Sequence, residues 1–248
     1  VDQKMSTYLA SSEISRFNRA ETTRPLAVSS ETIEVLAEAA RISAATGGAF
    51  DITVGPLVDA WGFGPAGETA PPPDEETIQW LLGRVGWHKI KVNEREKTVR
   101  KLAPDIECDL SAIAKGYAVD RIAAALSRRG PRAYMIEVGG EIRCAGQNTA
   151  GEPWRIAIER PAAGSRRTQR VLALRDIAMA SSGDYRNFIE KDGVRYSHTI
   201  DPRSGRPAMH RLAAVSVLDA SCMRADAYAT ALMVMGEKEG LRFAESSG

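Results

Sequence analysis

Residues 196–207, which read YSHTIDPRSGRP, place a histidine among acidic, basic and turn-forming residues. His198 can act as a general base for a hydroxyl nucleophile, or it can stabilise a phosphoryl group during its transfer. Asp201, Arg203 and Arg206 follow closely, and such a concentration of charge is typical of a site for a charged small molecule. A lone histidine is more often structural, so the segment leaves both interpretations open.

A second candidate is the pair Asp226 and Thr230 in RADAYATAL (224–232), a segment that we predict to be helical. Residues four apart share one face of a helix, about one turn from each other. A carboxylate and a hydroxyl at that spacing can both reach one hard cation, and Mg²⁺ binds oxygen ligands, usually including one or two carboxylates. The alternative is that Asp226 caps the helix and Thr230 faces the core.

The third candidate is DLSAIAKGYAVD, residues 109–120. Ser111, Ala112 and Ala114 are small enough for the backbone to approach a ligand closely. Lys115 lies where we predict a helix to begin, and the exposed N–H groups of a helix N-terminus favour anions. The segment therefore predicts a phosphate cradle, although it lacks the glycine spacing of a Walker loop or a Rossmann fingerprint. The alternative is a strand-to-helix turn with a solvated lysine.

Two further segments carry glycines beside residues that could bind a ligand. In Gly139-Gly140-Glu141, the glycines indicate a backbone position closed to side chains, and Glu141 can accept hydrogen bonds from a ribose or a ring N–H. A plain hairpin bend explains the same residues. Trp61 and Phe63 lie between glycines and either stack on an aromatic ring of a ligand or anchor a loop.

Composition sets broad limits on the function. The chain has 248 residues, which suits one or two domains, and its formal net charge of +1 gives no indication of a polyanionic partner such as nucleic acid. No apolar run is long enough to cross a membrane, and no secretory signal is visible. Cys108 and Cys144 fall in apolar alternations and are predicted to be buried, while no Cys-x-x-Cys pair indicates zinc or redox chemistry. His88 and His210 are predicted to lie at the surface.

Hydrophobic periodicity predicts the elements that must position these residues. The predicted helices comprise one capped by Ser30 and ended by Gly47-Gly48, one capped by Asp74, one that ends near Arg129, and one that runs through Asp226 to Met235, with Gly236 interrupting it before a further helical stretch. The predicted strands lie at 90–92, around 99, at 106–110, 134–138, 154–158, 171–174 and 213–218. Residues 47–65 read as loop-dominated, and 65–74 as a proline-rich connector. Because helices and hairpins are mixed without regular strand–helix alternation, the pattern favours an α+β fold.

Taken together, these segments resemble one family, the flavin transferases known as ApbE, or FAD:protein FMN transferases. The resemblance covers nearly the whole chain, and its eight segments occur in the order that the family shows. They are MSTY (5–8), SEISRFN (12–18), FDITVGPLVDAWGFG (50–64), DLSAIAKGYAVD, GGE, SSGDYRN (181–187), YSHTIDPRSGRP and RADAYATAL.

The resemblance implies a reaction, a fold and a set of residue roles. In the family, FAD is split at its pyrophosphate, FMN is attached to a threonine or serine hydroxyl of a target protein, AMP leaves, and magnesium assists. The implied fold is α+β, ApbE-like (T-fold-like), with mixed or antiparallel sheets and packed helices in one domain over residues 1–248. By motif, Asp226, Thr230 and the Ala112 carbonyl resemble the magnesium ligands, and His198 resembles the histidine implicated in catalysis. The residues that resemble FAD contacts are Tyr8, Ala49, Phe50, Asp51, Asp109, Lys115, Glu141 and Ile200.

The family also sets expectations for partners and location. Its members usually begin with a further strand that carries a Met-Gly-Thr stretch, and we expect this sequence to be trimmed relative to them at both ends. The expected partners are FAD and a respiratory or redox target protein with an acceptor Thr or Ser, without nucleic acid. Membrane association is expected only through a lipid anchor, which places the protein in the periplasm at the inner membrane; a cytoplasmic location is the alternative. Two alternative functions stay open: hydrolysis of FAD to FMN and AMP, and FAD binding by a non-catalytic maturation protein.

Overall fold

A computed structural model describes residues 1–64, 71–161, 167–184, 188–191 and 194–247. In these residues seven α-helices and one 3₁₀ helix (Trp87–Lys89) accompany thirteen strands, most of them short. The helices are α1 (Asp2–Met5), α2 (Glu13–Arg19), α3 (Ser30–Ala45), α4 (Gly55–Ala60), α5 (Glu75–Leu82), α6 (Ala114–Arg128) and α7 (Cys222–Ser247). The strands are β1 (Leu26–Ala27), β2 (Ile90–Asn93), β3 (Thr98–Lys101), β4 (Tyr134–Val138), β5 (Glu141–Ala145), β6 (Trp154–Glu159), β7 (Thr168–Leu174), β8 (Ile177–Gly183), β9 (Phe188–Lys191), β10 (Val194–Ser197), β11 (Ile200–Asp201), β12 (Arg206–Pro207) and β13 (Ala214–Asp219).

Every strand pair in the described residues is antiparallel, so the predicted α+β class is confirmed. The largest sheet has four strands in the order β13-β8-β5-β4, and a smaller one has the order β1-β3-β2. Strands β6 and β7, β9 and β10, and β11 and β12 form separate two-stranded pairs. No helix in the described part of the chain is long and apolar enough to cross a membrane.

The four-stranded sheet is covered on both faces by different elements. Because side chains alternate along a strand, Ile136 of β4 and Ala178 of β8 point to the face that packs on α6 and α7, where they meet Val119 and Cys222. The opposite face packs under the β6–β7 hairpin, and its contacts bring together Ile142, Cys144, Ile156, Leu174 and Met179. The N-terminal ends of α6 and α7 therefore lie on one side of this sheet and the hairpin on the other.

Most helix boundaries follow the predicted caps, with one shift. Asp74 caps α5, where its Oδ1 accepts from Thr77 N at 2.9 Å. The prediction that Ser30 caps α3 is wrong, because Ser29 has the extended backbone of a cap and its Oγ accepts from Thr32 N at 3.3 Å. The helix then ends at Ala45, just before Gly47.

Two other local predictions are corrected. Residues 47–64 are not simply a loop, since α4 begins at Gly55 and Pro56 occupies its first turn, a position that needs no backbone donor. Most of the predicted connector at 65–74 lies outside the described residues. Residues 106–110 form no strand, although Ile106, Cys108 and Leu110 are all buried. Asn18 takes the place of a partner strand there, because its side-chain amide accepts from Cys108 N at 2.8 Å and donates to Cys108 O at 2.9 Å.

Gly236 interrupts α7 as predicted, with a φ of 72°. The space beside it is filled by His210, whose ring carbon would lie 2.6 Å from a Cβ at this position. The Nε2 atom of His210 lies 2.6 Å from Met233 O, and its Nδ1 atom is buried with no hydrogen-bond partner among the residues that the structure describes. The prediction that His210 lies at the surface is therefore wrong, whereas His88 is exposed as predicted. Cys108 and Cys144 are buried, as predicted.

Gly116 sets how closely α6 approaches α7. A Cβ at this position would lie 2.2 Å from Cys222 O and 2.8 Å from Met223 Cα, so only glycine permits the contact. We expect Gly116→Ala to lower the free energy of unfolding by about 1–3 kcal/mol, because the two helices must separate to admit the methyl group. Urea unfolding measures the change. Gly55→Ala is the control, since its Cβ would meet Asp109 at an ordinary 3.6 Å; an equal effect in both variants would contradict this explanation.

Candidate active site

One large cleft of about 1250 Å³ opens where the four-stranded sheet, the N-terminus of α6 and the first turns of α7 meet. The twelve residues that the family resemblance assigns to catalysis, FAD or magnesium all line it, although they come from widely separated parts of the chain. They are Tyr8, Ala49, Phe50, Asp51, Asp109, Ala112, Lys115, Glu141, His198, Ile200, Asp226 and Thr230. The structure thus brings the predicted residues together in one place, while their individual roles stay predictions.

The centre of the cleft is an ion cluster between α6, α7 and β5. Lys115 Nζ lies 3.3 Å from Asp226 Oδ1 and 3.2 Å from Glu141 Oε1. The backbone N–H of Gly116 donates to Asp226 Oδ2 at 3.0 Å. Asp226 therefore does not cap α7, and Lys115 is not a freely solvated lysine, so both of those alternatives are wrong.

Burial and neighbouring charge set the protonation of this cluster. Burial opposes the charge on Lys115, but the Asp226 and Glu141 carboxylates outweigh it and raise the pKa of Lys115, which stays protonated. Burial also raises the pKa of Asp226, against the lowering effect of Lys115 and the Gly116 N–H. Two carboxylates around one ammonium give a cluster with a formal charge of −1 when both are ionised. That excess negative charge, open to a cleft, favours a cation.

Glu141 is the second buried acid of the cluster. Gly139 and Gly140 form the tight turn between β4 and β5, each with positive φ, and this turn directs the carboxylate of Glu141 inward, where it is only 3% exposed. Burial, together with the nearby charge of Asp226, raises its pKa to about 7, even though Lys115 acts in the opposite direction. Its Oε2 atom has no hydrogen-bond partner in the described residues. The hairpin bend that the sequence offered is present, and Glu141 lines the cleft, while hydrogen bonding of Glu141 to a ligand stays a prediction.

This pKa gives a testable pH dependence of stability. The folded protein holds the Glu141 proton more tightly than the unfolded chain does. The Glu141 carboxyl therefore has little effect on the free energy of unfolding below about pH 4.5, and it lowers that free energy progressively as the pH rises towards 7. We expect Glu141→Gln to be more stable than the parent protein at pH 8, and to lose that advantage at pH 4.5. Urea unfolding of the ligand-free proteins across this range measures it; a pH-independent difference would contradict the assignment.

The N-terminus of α7, which carries Asp226 and Thr230, is fixed by Asp120 of α6. Asp120 Oδ2 accepts from Ser221 Oγ at 2.8 Å and from Met223 N at 3.1 Å, while Oδ1 accepts from Cys222 N at 3.1 Å. Arg143 of β5 donates to the same carboxylate at 2.7 Å. Asp120, the last residue of the DLSAIAKGYAVD segment, thus positions α7. The first residues of the same segment face α7 across the cleft.

Oxygen donors in the cleft suit a hard divalent cation. Asp226 is 4% exposed and directs its carboxylate to the cleft, and Thr230 lies one turn further on the same helix. Within the described ranges, no group of three or more His, Cys, Asp or Glu residues is placed to hold a metal. A protein site with one carboxylate, one hydroxyl and one carbonyl, completed by water and phosphate oxygens, is the kind that Mg²⁺ occupies.

His198 is half-buried and lines the same cleft. Its ring meets the edge of Phe63, with ring centroids 6.4 Å apart. The charged neighbours that drew attention to it in the sequence are used elsewhere, because Arg203 pairs with Asp201 and with Glu239, and Arg206 pairs with Glu75. Those charges hold the following turn in place and do not line the cleft, so that part of the sequence argument for a charged site is wrong.

Trp61 and Asp51 mainly make hydrogen bonds that hold the wall of the cleft in place. Trp61 Nε1 donates to Gly205 O at 2.8 Å, so Trp61 anchors a loop, whereas Phe63 reaches the cleft. Asp51 is used internally, since it accepts from Thr53 N at 2.8 Å and from Trp87 N at 2.7 Å. Burial raises the pKa of Asp51, although these hydrogen bonds oppose the shift. Its carboxylate therefore shapes the wall that Ala49 and Phe50 present.

The sheet side of the cleft was not foreseen. Its lining comes from β4, β6, β8 and β13, and it consists of Met135, Glu137, Arg155, Ile156, Ala157, Ile158, Glu159, Met179, Ser181, Ser182, Gly183, Ala214 and Ser216. The sequence predicted strand 154–158 correctly, but no local signal showed that this strand folds back over the sheet. Residues Tyr185, Arg186 and Asn187 of the SSGDYRN segment lie outside the described residues.

An α+β fold in which a lysine at a helix N-terminus pairs with two buried carboxylates in a cleft of this size belongs to the class of proteins with a site suited to a charged ligand. Comparisons with known proteins narrow that class. A sequence profile of the ApbE family matches residues 1–248, and the chain belongs to the ApbE family.

Relatives of known name agree with this assignment. The FAD:protein FMN transferase of Vibrio cholerae serotype O1 is 48% identical over 247 residues, which cover 100% of this chain and 73% of the relative. The protein of the same name from Haemophilus influenzae is 44% identical over 251 residues, covering 100% of this chain and 72% of the relative. These relatives are transferase enzymes by name.

Solved structures show the same fold. The flavin transferase ApbE from Vibrio cholerae superposes with a TM-score of 0.90 at 47% identity, over 99% of this chain and 77% of that one. The apo form of the Pseudomonas stutzeri flavinyl transferase ApbE gives a TM-score of 0.90 at 39% identity, over 100% of this chain and 76% of that one. The ApbE-like fold expected from the sequence is therefore confirmed.

Proposed function

We propose that this chain transfers FMN from FAD to a threonine or serine hydroxyl of a target protein, with release of AMP and with dependence on Mg²⁺. The transferase activity is that named for its relatives. The observation that carries the proposal is the meeting of Lys115, Asp226, Thr230 and His198 in one cleft large enough for a dinucleotide.

The reaction needs the FAD diphosphate to lie against the proposed magnesium site and Lys115. In the proposed step, the acceptor hydroxyl oxygen attacks the phosphorus of the FMN half, the bond from that phosphorus to the bridging oxygen breaks, and AMP leaves with the bridging oxygen. Lys115, held protonated by two carboxylates, neutralises charge on the diphosphate. His198 takes the proton from the attacking hydroxyl. In-line attack otherwise requires mainly positioning, which the walls of the cleft supply.

Asp226, Thr230 and the Ala112 carbonyl would hold the magnesium ion. When bound, this ion supplies Lewis-acid stabilisation of charge on the phosphoryl oxygens. The protein contributes a fixed position for α7, the helix that carries Asp226 and Thr230. Asp120 holds the first turn of α7, and Gly116 lets α7 approach α6 closely.

The proposal also covers the kind of acceptor protein and the cellular location of the reaction. We propose a respiratory or redox protein as acceptor, and the periplasmic side of the inner membrane as the place of work. The support for both is the family resemblance of the sequence.

A single incubation separates the proposed function from its alternatives. The chain is mixed with FAD and Mg²⁺, with and without candidate redox proteins, and intact-mass spectrometry detects FMN on the acceptor while chromatography measures AMP. We expect FMN addition and AMP release in equal amounts, both abolished by EDTA. AMP release without any acceptor adduct would instead identify an FAD pyrophosphatase. Bound FAD with no AMP would identify a maturation protein without catalysis.

A further inference from the structure

A second cluster of charged groups joins the same three elements as the ion cluster of the cleft. Arg143 of β5 donates from its Nη1 atom to Asp120 Oδ1 of α6 at 2.7 Å, and to Ala220 O, just ahead of α7, at 2.6 Å. Asp120 also accepts from Ser221 Oγ and from two backbone N–H groups in the first turn of α7. We call Asp120, Arg143 and residues 220–223 the Asp120 cluster.

The sequence offsets place the two clusters next to each other. On β5, Arg143 lies two residues after Glu141, so both side chains point to the same face of the sheet, where each reaches α6. On α6, Asp120 lies little more than one turn beyond Lys115, and on α7 the bonded first turn comes just before Asp226. Each element that gives a group to the ion cluster therefore gives another to the Asp120 cluster.

Cys222 lies between the two clusters and fills the space there. Its Sγ atom is 3.6 Å from Ile142 O of β5, and its carbonyl oxygen packs over Gly116 of α6, where a Cβ would clash. Burial raises the pKa of its thiol, and carboxylates of both clusters, Asp120 and Asp226, act in the same direction. Because the first turn of α7 is closely packed, a shift of this turn also moves Asp226, one turn further along the helix.

The bonds of the Asp120 cluster are strong enough to decide where α7 lies. Four donors converge on the carboxylate of Asp120, and hydrogen bonds to a charged group are stronger than bonds between neutral groups. Groups that orient metal ligands without touching the metal typically change metal affinity by about 10–100-fold when they are mutated.

We infer that Asp120 and Arg143 are positioning residues that set the affinity of the proposed magnesium site, because they fix α7 against α6 and β5. The inference rests on the proposed function, since it concerns the ion that this reaction uses. Neither residue belongs to the described residues that line the cleft, so both act through Asp226 and Thr230, which do line it.

The test uses Mn²⁺ as the probe, because EPR measures its binding whether or not FMN is transferred. Mn²⁺ is titrated, in the presence of FAD and without an acceptor protein, into the parent chain, Asp120→Asn and Arg143→Gln. We expect each variant to bind Mn²⁺ about tenfold or more weakly than the parent chain. The double variant should lose little more affinity than the weaker single variant, since both substitutions break the same connection.

Transfer rates supply a second readout that a loss of stability alone would not produce. In both variants FMN transfer should need correspondingly more Mg²⁺, and kcat should return close to the parental value when Mg²⁺ saturates, with the KM for FAD nearly unchanged. Arg143→Gln leaves the bonds from Asp120 to α7 in place, so it keeps the test available if Asp120→Asn does not fold.

Asp219→Asn is the matched control. The carboxylate of Asp219 accepts from Ser221 N at 2.8 Å and from Arg224 Nε at 3.2 Å, and both of these donors belong to the segment that leads into α7. The control removes a charge beside the same turn without cutting its connection to α6 and β5. We expect its Mn²⁺ affinity to equal that of the parent chain, even if urea unfolding shows a loss of stability.

Three results would overturn the inference: parental Mn²⁺ affinity in the folded Asp120 and Arg143 variants, an equal loss of affinity in Asp219→Asn, or a fall in kcat that no Mg²⁺ concentration restores. Failure of the proposed function looks different. If Asp226→Asn binds Mn²⁺ as tightly as the parent chain, the proposed magnesium site itself is wrong, and the inference falls with it.

Discussion

Replacement of Asp226 by asparagine is expected to lower FMN transfer by about a thousandfold or more, because a metal ion contributes several kcal/mol to charge stabilisation in such a reaction. Asp226 supplies the buried carboxylate of the proposed magnesium site and accepts from Lys115 and Gly116. The amide keeps the shape of the side chain but removes its charge, so the fold should persist. Transfer rates measured against Mg²⁺ concentration test this expectation.

The control for Asp226→Asn is Glu237→Gln, which removes an exposed carboxylate on the same helix beyond Gly236. We expect the control to keep its rate and its magnesium dependence. Residual activity of Asp226→Asn should no longer rise with Mg²⁺. A variant that turned over normally and still responded to Mg²⁺ would show that the cation is held elsewhere.

His198→Ala should reduce transfer by about a hundredfold to ten-thousandfold while FAD still binds, because general-base catalysis contributes on that scale. The histidine lines the cleft beside Phe63, at a distance in sequence from the lysine and metal-ligand segments. Single-turnover rates at saturating FAD separate the chemical step from binding, and a titration of flavin fluorescence measures FAD affinity.

His88→Ala is the matched control, since His88 is exposed and does not line the cleft. If His198→Ala binds FAD normally and transfers FMN at the parental rate, the histidine has no part in proton transfer. If FAD affinity alone falls, its role is in binding.

Part of the candidate site could be singled out from short segments whose chemistry is local, whereas Tyr8, Ala49, Phe50 and Ile200 came only from the resemblance of their segments to the family. The spacing of Asp226 and Thr230 fixes their shared helix face whatever the tertiary structure. Lys115 was predicted to lie at the start of a helix, and α6 does begin at Ala114. The sequence spacing could not predict the ion cluster, because the approach of Glu141 to Lys115 depends on how β5 packs against α6.

The predictions of local structure were wrong where contacts between residues far apart in sequence determine that structure. Cys108 looked like part of a strand, but the side chain of Asn18, ninety positions away, satisfies its backbone. His210 looked like a surface residue because the space that Gly236 leaves for it arises only when the two segments meet. The sheet side of the cleft was missed for the same reason, since the position of β6 over the sheet is a tertiary property.

The central claim is that Asp226 and Thr230 hold a cation against the diphosphate of FAD. The most direct measurement is a crystal structure of the chain with FAD and Mn²⁺ as an anomalous scatterer in place of Mg²⁺. We predict one anomalous peak bonded to a carboxylate oxygen of Asp226 and to the hydroxyl of Thr230, with diphosphate oxygens completing its coordination. A peak bound by other residues, or a diphosphate out of reach of both side chains, would contradict the account.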